Sequence, residues 1–150
     1  MNMDVKENIR KRLNRALRSK YDVLIVDDNQ EQANLTKLLI EEYGFKAQFL
    51  TDSSKALEKI QSDQPSVVIL DLMMPELDGL RLCRQIKTSK DTYKTKVIIY
   101  SGKMYDSDRR KAIQFGADAF FVKPTRANRL ISKIKELLPS TTYQNEPCHN

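Results

Sequence analysis

The chain has 150 residues, 40% of them hydrophobic and 31% charged, with a formal net charge of +6. That length supports one domain with a sizeable core. Nothing approaches the roughly 18 apolar residues needed to span a bilayer, and no secretory signal opens the chain. Cys83 and Cys148 are too few and too far apart for a disulfide framework, so reduced thiols and a cytoplasmic location are expected.

The positive charge is concentrated at the start. Residues 1–20 carry seven basic side chains against Asp4 and Glu7, a net of +5, and the rest of the chain carries +1. The body therefore gives no general argument for nucleic-acid binding. Within residues 1–20, Val5, Ile9, Leu13, Ala16 and Leu17 fall on one stripe of a helix, with basic residues on the other faces. Three uses are open to this basic amphipathic helix: packing on a partner or a second copy, a solvated extension, or contact with an anionic surface.

From Tyr21 onward, strand-like and helix-like segments alternate. The strand candidates are Val23–Val26, Lys46–Leu50, Val67–Leu70, Val97–Tyr100 and Ala119–Val122. The first intervening helix presents Ala33, Leu35, Leu38, Leu39 and Glu42 and ends at Gly44; Asp28 or Asn29 is placed to cap it. The second carries Ala56, Leu57 and Ile60 behind a cap at Asp52 or Ser53. The third follows Pro75 and Gly79 with Leu80, Cys83 and Ile86, and the fourth carries Ile113 and ends at Gly116. The fifth carries Leu130, Ile131, Ile134, Leu137 and Leu138 and stops at Pro139. Five βα units imply an α/β/α layer sandwich with right-handed crossovers. Residues 21–139 form that domain, and the polar segment 140–150 reads as a disordered tail.

Three short apolar runs end on chemistry: Val23–Val26 on Asp27 and Asp28, Val67–Leu70 on Asp71, and Phe120–Val122 on Lys123 and Pro124. Such runs, without polar alternation, read as buried parallel strands. Ligands collect at the carboxyl ends of strands in an open parallel sheet. Each group has an ordinary explanation when taken singly. Asp28 or Asn29 can cap a helix, Asp71 can be a loop carboxylate, Lys123-Pro124 a turn, and Ser101-Gly102 a strand end. Together they place three carboxylates, a hydroxyl and an ammonium at one sheet edge. Clustered carboxylates repel one another unless a cation neutralises them. Mg²⁺ takes oxygen ligands and keeps water positions open for a phosphate. The chemistry implied is metal-assisted transfer of a phosphoryl group onto a carboxylate.

Residues 22–138 resemble the receiver domain of a two-component response regulator of the CheY-like kind. The motifs are Val26-Asp27-Asp28-Asn29, the segment Asp71-Leu-Met-Met-Pro75-Glu-Leu-Asp78-Gly79, Ser101-Gly102, and Lys123-Pro124. Asp71 precedes Ser101 by 30 residues and Lys123 by 52. The resemblance implies a five-stranded parallel sheet in the order 2-1-3-4-5. It implies Asp71 as the phosphoacceptor, with Asp28, Asp71 and the Met73 carbonyl as Mg²⁺ ligands and Asp27 acting largely through water. Ser101 matches the hydroxyl that moves onto the phosphoryl group, and Lys123 the lysine that pairs with it, before a cis bond to Pro124. Phe120 matches the aromatic switch position, although a core role is equally natural there and the ring lacks a tyrosine hydroxyl. Met73 and Lys103 match positions that tune dephosphorylation.

The resemblance further implies a module that assists its own aspartyl phosphorylation and dephosphorylation rather than a conventional enzyme. Its output face would be the fourth crossover helix, the fifth strand and the fifth crossover helix, around Arg109, Lys111, Phe115 and Arg126. His149 is the sole histidine, so a histidine kinase, a phosphotransfer protein or a small phosphodonor must supply the phosphoryl group. With no output domain after Leu138, a stand-alone receiver with an unidentified effector is expected. The alternative is a pseudo-receiver that is never phosphorylated and acts as an interaction or dimerisation module. A flavodoxin is disfavoured because Asp27-Asp28-Asn29-Gln30-Glu31 is acidic where a flavin phosphate would sit. A haloacid-dehalogenase-like phosphatase is disfavoured because Met73 stands where its second Asp belongs.

Overall fold

The computed structural model describes residues 3–18, 20–74, 78–102 and 105–139, without the side chains of 3, 11, 12 and 14–18. The tail at 140–150 with Cys148 and His149, together with Pro75, Lys103 and the side chains of Ala16 and Leu17, lies outside the described residues.

A helix, α1 (Met3–Arg18), comes first, and the described side chains of its apolar stripe, Val5, Ile9 and Leu13, are exposed. Then β1 (Val23–Val26) leads to α2 (Gln30–Glu42), and β2 (Ala47–Leu50) leads through a 3₁₀ turn at Ser53–Lys55 to α3 (Ala56–Asp63). Next, β3 (Val67–Leu70) leads to α4 (Gly79–Thr88), β4 (Lys96–Ser101) to α5 (Asp106–Gln114), and β5 (Ala119–Val122) to α6 (Ala127–Leu137). The strands form one parallel sheet in the order β2-β1-β3-β4-β5.

Alternation along the strands divides the core in two. Leu24, Val26, Val68, Leu70, Val97 and Ile99 pack with residues of α3, α4 and α5. Val23, Ile25, Val67, Ile69 and Ile98 pack with residues of α2 and α6. Both faces of the central strands are covered, which is why β1 and β3 are buried throughout and carry no polar residue.

The helix boundaries follow local chemistry. Asn29 caps α2 by accepting from the Gln32 N–H, Asp52 caps the 3₁₀ turn through the Ser54 N–H, and Asp78 caps α4 through the Leu80 N–H. Gly44 and Gly116 have φ of +91° and +90° just past α2 and α5, where a side chain would be strained.

Four expectations are corrected. Leu35 and Leu38 of α2 are 60% and 51% exposed, and the buried positions are Ala33, Thr36 and Ile40. Thr36 fits there because its hydroxyl donates to the Gln32 carbonyl one turn back. In α5, Ile113 is 61% exposed and Ala112 is the buried residue. The last apolar run is an edge strand: β5 is only partly buried and Val122 is exposed. Finally, Ser101 is the last residue of β4 rather than a residue after it, in register with Val122.

Candidate functional site

The backbone ladder itself aligns the site. Asp27 N–H donates to the Leu50 carbonyl at 3.1 Å, Asp71 N–H to the Val26 carbonyl at 3.1 Å, and Lys123 N–H to the Ser101 carbonyl at 2.8 Å. Parallel pairing thus runs one residue past the ends of β1, β3 and β5. It holds the three residues on one edge of the sheet.

Their side chains meet. Lys123 Nζ donates to Asp27 Oδ2 at 2.9 Å and to Asp71 Oδ2 at 3.4 Å. The buried Ser101 hydroxyl donates to Asp71 Oδ1 at 2.8 Å, and the Met73 N–H donates to the same oxygen at 3.1 Å. Asp71 therefore takes two neutral donors on one oxygen and an ammonium on the other. Asp27 is 3% exposed and is offset by Lys123, as a buried carboxylate requires. The Lys123–Pro124 peptide bond is cis.

Asp27, Asp28 and Asp71 each bring a carboxylate oxygen within 4.8 Å of the other two. Their exposure is graded, with Asp27 buried, Asp71 intermediate and Asp28 exposed. Such an all-oxygen cluster, open on one side, suits a hard cation that retains water. The Met73 side chain is exposed beside it.

The close seating of α4 was not foreseen from the residue pattern. A Cβ on Gly79 would collide with the Asp71 backbone carbonyl and stand 3.0 Å from Leu72 Cα. Gly79 N–H also donates to the Leu72 carbonyl at 3.3 Å. Only glycine lets the start of α4 approach the Asp71 backbone this closely. Gln32 was also missed: its side-chain carbonyl accepts from Lys123 Nζ at 2.9 Å. The spacing of Asn29 as cap and Gln32 in the first turn was the available signal. The Tyr100 ring adds a further contact, its centre 5.1 Å from Lys123 Nζ.

Phe120 is partly buried against the core cluster that holds α3, α4 and α5, and the Arg109 guanidinium lies 4.2 Å from its ring centre. Arg84 stands 5.6 Å from the ring centre of Phe115, while Lys111 and Arg126 are exposed.

Residues 23–135 match the family described as response regulator receiver domain. The chain belongs to that family. Such domains serve two-component systems, and phosphorylation on an aspartate is characteristic of them. The response regulator MprA of Mycolicibacterium vanbaalenii is 32% identical over 120 residues, covering 80% of this chain and 51% of that protein. This receiver chain thus spans about half the length of the curated relatives it matches. Among solved structures, the signal receiver domain of a signal transduction histidine kinase from Syntrophus aciditrophicus superposes with a TM-score of 0.73. It is 29% identical and covers 87% of this chain and 97% of its own. A CheY-like receiver domain protein from Methanospirillum hungatei superposes at 0.72 with 26% identity, covering 79% and 93%. Among the described residues, no helix is long and apolar enough to cross a membrane.

Proposed function

We propose that this receiver domain accepts a phosphoryl group on Asp71 and reports it through the face formed by α5, β5 and α6. The observation that carries the reading is the convergence on one carboxylate: Ser101 on Asp71 Oδ1 at 2.8 Å and Lys123 on Asp71 Oδ2 at 3.4 Å. These groups come from strand ends 30 and 52 residues away from Asp71. A carboxylate that only capped a loop would need neither.

In the reaction, an Asp71 carboxylate oxygen attacks phosphorus while the bond to the donor's leaving atom breaks, its electron pair departing with the donor. The product is an acyl phosphate. Asp27, Asp28 and Asp71 would hold Mg²⁺ with the Met73 carbonyl, and the ion would supply charge neutralisation for the incoming phosphoryl oxygens. Lys123 supplies a second positive charge from the β5 end, a fixed electrostatic stabiliser of the transferring group. Ser101 holds an Asp71 oxygen now and has a hydroxyl to give to the phosphoryl group. The donor would be a histidine kinase, a phosphotransfer protein or a small phosphodonor, and the effector a protein that recognises the altered face.

Phe120 stands two residues before Ser101's strand partner Val122, in register with Ile99, and lies under Arg109, so a shift of the Ser101 hydroxyl has a short path to that face. The phosphoryl group would bias two pre-existing arrangements rather than create a new one.

The test is intact-mass spectrometry after incubation with acetyl phosphate, with and without Mg²⁺. The expected result is one phosphoryl group gained in the presence of Mg²⁺ and none in Asp71→Asn. No gain by the unsubstituted chain would favour the pseudo-receiver.

A further inference from the structure

We infer that Gln32 is a positioning residue for Lys123, holding the ammonium at the phosphoacceptor site with a neutral hydrogen bond. Four hydrogen bonds close a ring around the start of α2. Asn29 N–H donates to Asp27 Oδ1 at 3.0 Å, and Gln32 N–H donates to Asn29 Oδ1 at 3.0 Å. Lys123 Nζ then donates to Gln32 Oε1 at 2.9 Å and to Asp27 Oδ2 at 2.9 Å. The same carboxylate therefore fixes the helix start through one oxygen and the lysine through the other. Gln32 links the two through its own backbone and side chain.

An ammonium has three N–H donors. Asp27 and Gln32 take two, leaving one for Asp71 Oδ2 at 3.4 Å, the longest contact of the three. That third proton is the one free to follow a phosphoryl oxygen. A flexible four-carbon stem needs such pinning to present it in one direction. A carboxylate at position 32 would pin equally well but would cancel the positive charge the site needs. The amide pins without cancelling. Gln32 is itself exposed, where a glutamine amide would ordinarily face water, so its bond to Lys123 is a specific use of the side chain.

The catalytic consequence rests on the phosphoacceptor reading of Asp71, and the experiment separates the two. In the metal-free chain, the Lys123 side-chain ammonium should give a slowly exchanging NMR signal that exchanges faster in Gln32→Leu and in Gln32→Met. This readout requires no phosphoryl transfer. With acetyl phosphate and saturating Mg²⁺, Gln32→Leu should slow acylphosphate formation between about threefold and tenfold, the scale of a lost charge-assisted hydrogen bond only partly replaced by water. Mg²⁺ affinity should stay within roughly twofold, since Gln32 is not among the carboxylates of the cluster. In a Lys123→Ala background, the same substitution should change the rate less than about 1.5-fold, because the two residues act as one unit. Unchanged ammonium exchange, an unchanged rate in the otherwise native chain, or an equal slowing in the Lys123→Ala background would each overturn the inference. If the native chain takes no phosphoryl group at all, the phosphoacceptor reading fails while the ammonium result still decides the positioning.

Discussion

The guanidinium of Arg109 in α5 lies 4.2 Å from the centre of the Phe120 ring in β5. Phe120 has no hydroxyl with which to anchor itself, so the contacts that set its position are packing and this cation–π pair. At an exposed position such a pair is worth about 0.5–1 kcal/mol, a factor of roughly two to five in the population of an alternative ring position. Arg109→Ala should therefore enlarge microsecond-to-millisecond exchange at Phe120, measured by NMR relaxation dispersion. Identical dispersion in the two chains would mean that Arg109 does not hold the ring.

Gly79 has a strict steric duty. A methyl group there meets the Asp71 carbonyl, which belongs to the same residue that presents the acceptor carboxylate. Gly79→Ala should cost about 1–3 kcal/mol of stability by denaturant unfolding. It should also slow acylphosphate formation, because the displaced atom is Asp71 backbone. A stability within 0.5 kcal/mol of native, by the ordinary range for a neutral surface change, would contradict the close approach.

Lys123 is the cation that offsets Asp27 and Asp71 in the described structure. Lys123→Met leaves the buried Asp27 carboxylate without that partner, at a cost of about 1–3 kcal/mol in the metal-free chain. Mg²⁺ at the acidic cluster would restore part of the loss. The thermal stabilisation on adding Mg²⁺ should accordingly be larger in Lys123→Met than in the native chain. An equal or smaller shift would mean the lysine is not competing with a cation there.

Burial pushes the Cys83 thiol up to about 11, with nearby Lys87 opposing and Asp118 assisting. Its folded value is raised, so the stability it contributes is present below the ordinary thiol value of 9.0 and is lost as pH rises through about 11. Tyr21 is raised as well, by burial first and then by donating to Asp63. Both act in the same alkaline direction. Urea unfolding between pH 8 and about 11 should show stability falling with pH, and Cys83→Ala should flatten the part of the slope that belongs to the thiol. An unchanged slope would remove Cys83 from that account.

The strand ends were readable because parallel pairing is regular. Once Val23–Val26, Val67–Leu70 and the run ending at Val122 are strands, the residues after them share an edge whatever the helices do. Helix faces were less readable. Leucines suggested the inner face of α2, but its phase is set by the Asn29 cap and by Thr36, a polar residue made buriable through the Gln32 carbonyl. At α5, the buried position is filled by a small residue, Ala112, and the larger Ile113 turns outward. Gln32 shows in the chain only as a first-turn residue three positions after the Asn29 cap, which says nothing of Lys123. Its meaning arises only when folding brings residue 123 across to the start of α2, a contact 91 residues apart.

The most direct test is to locate the phosphoryl group. The native chain is treated with acetyl phosphate and Mg²⁺, the acyl phosphate is trapped by borohydride reduction, and the modified residue is identified by peptide mass spectrometry. The expected result is a single reduced residue, at Asp71, and none when Mg²⁺ is withheld. Modification at Asp27, at Asp28 or at no aspartate would contradict the assignment of Asp71 as the acceptor.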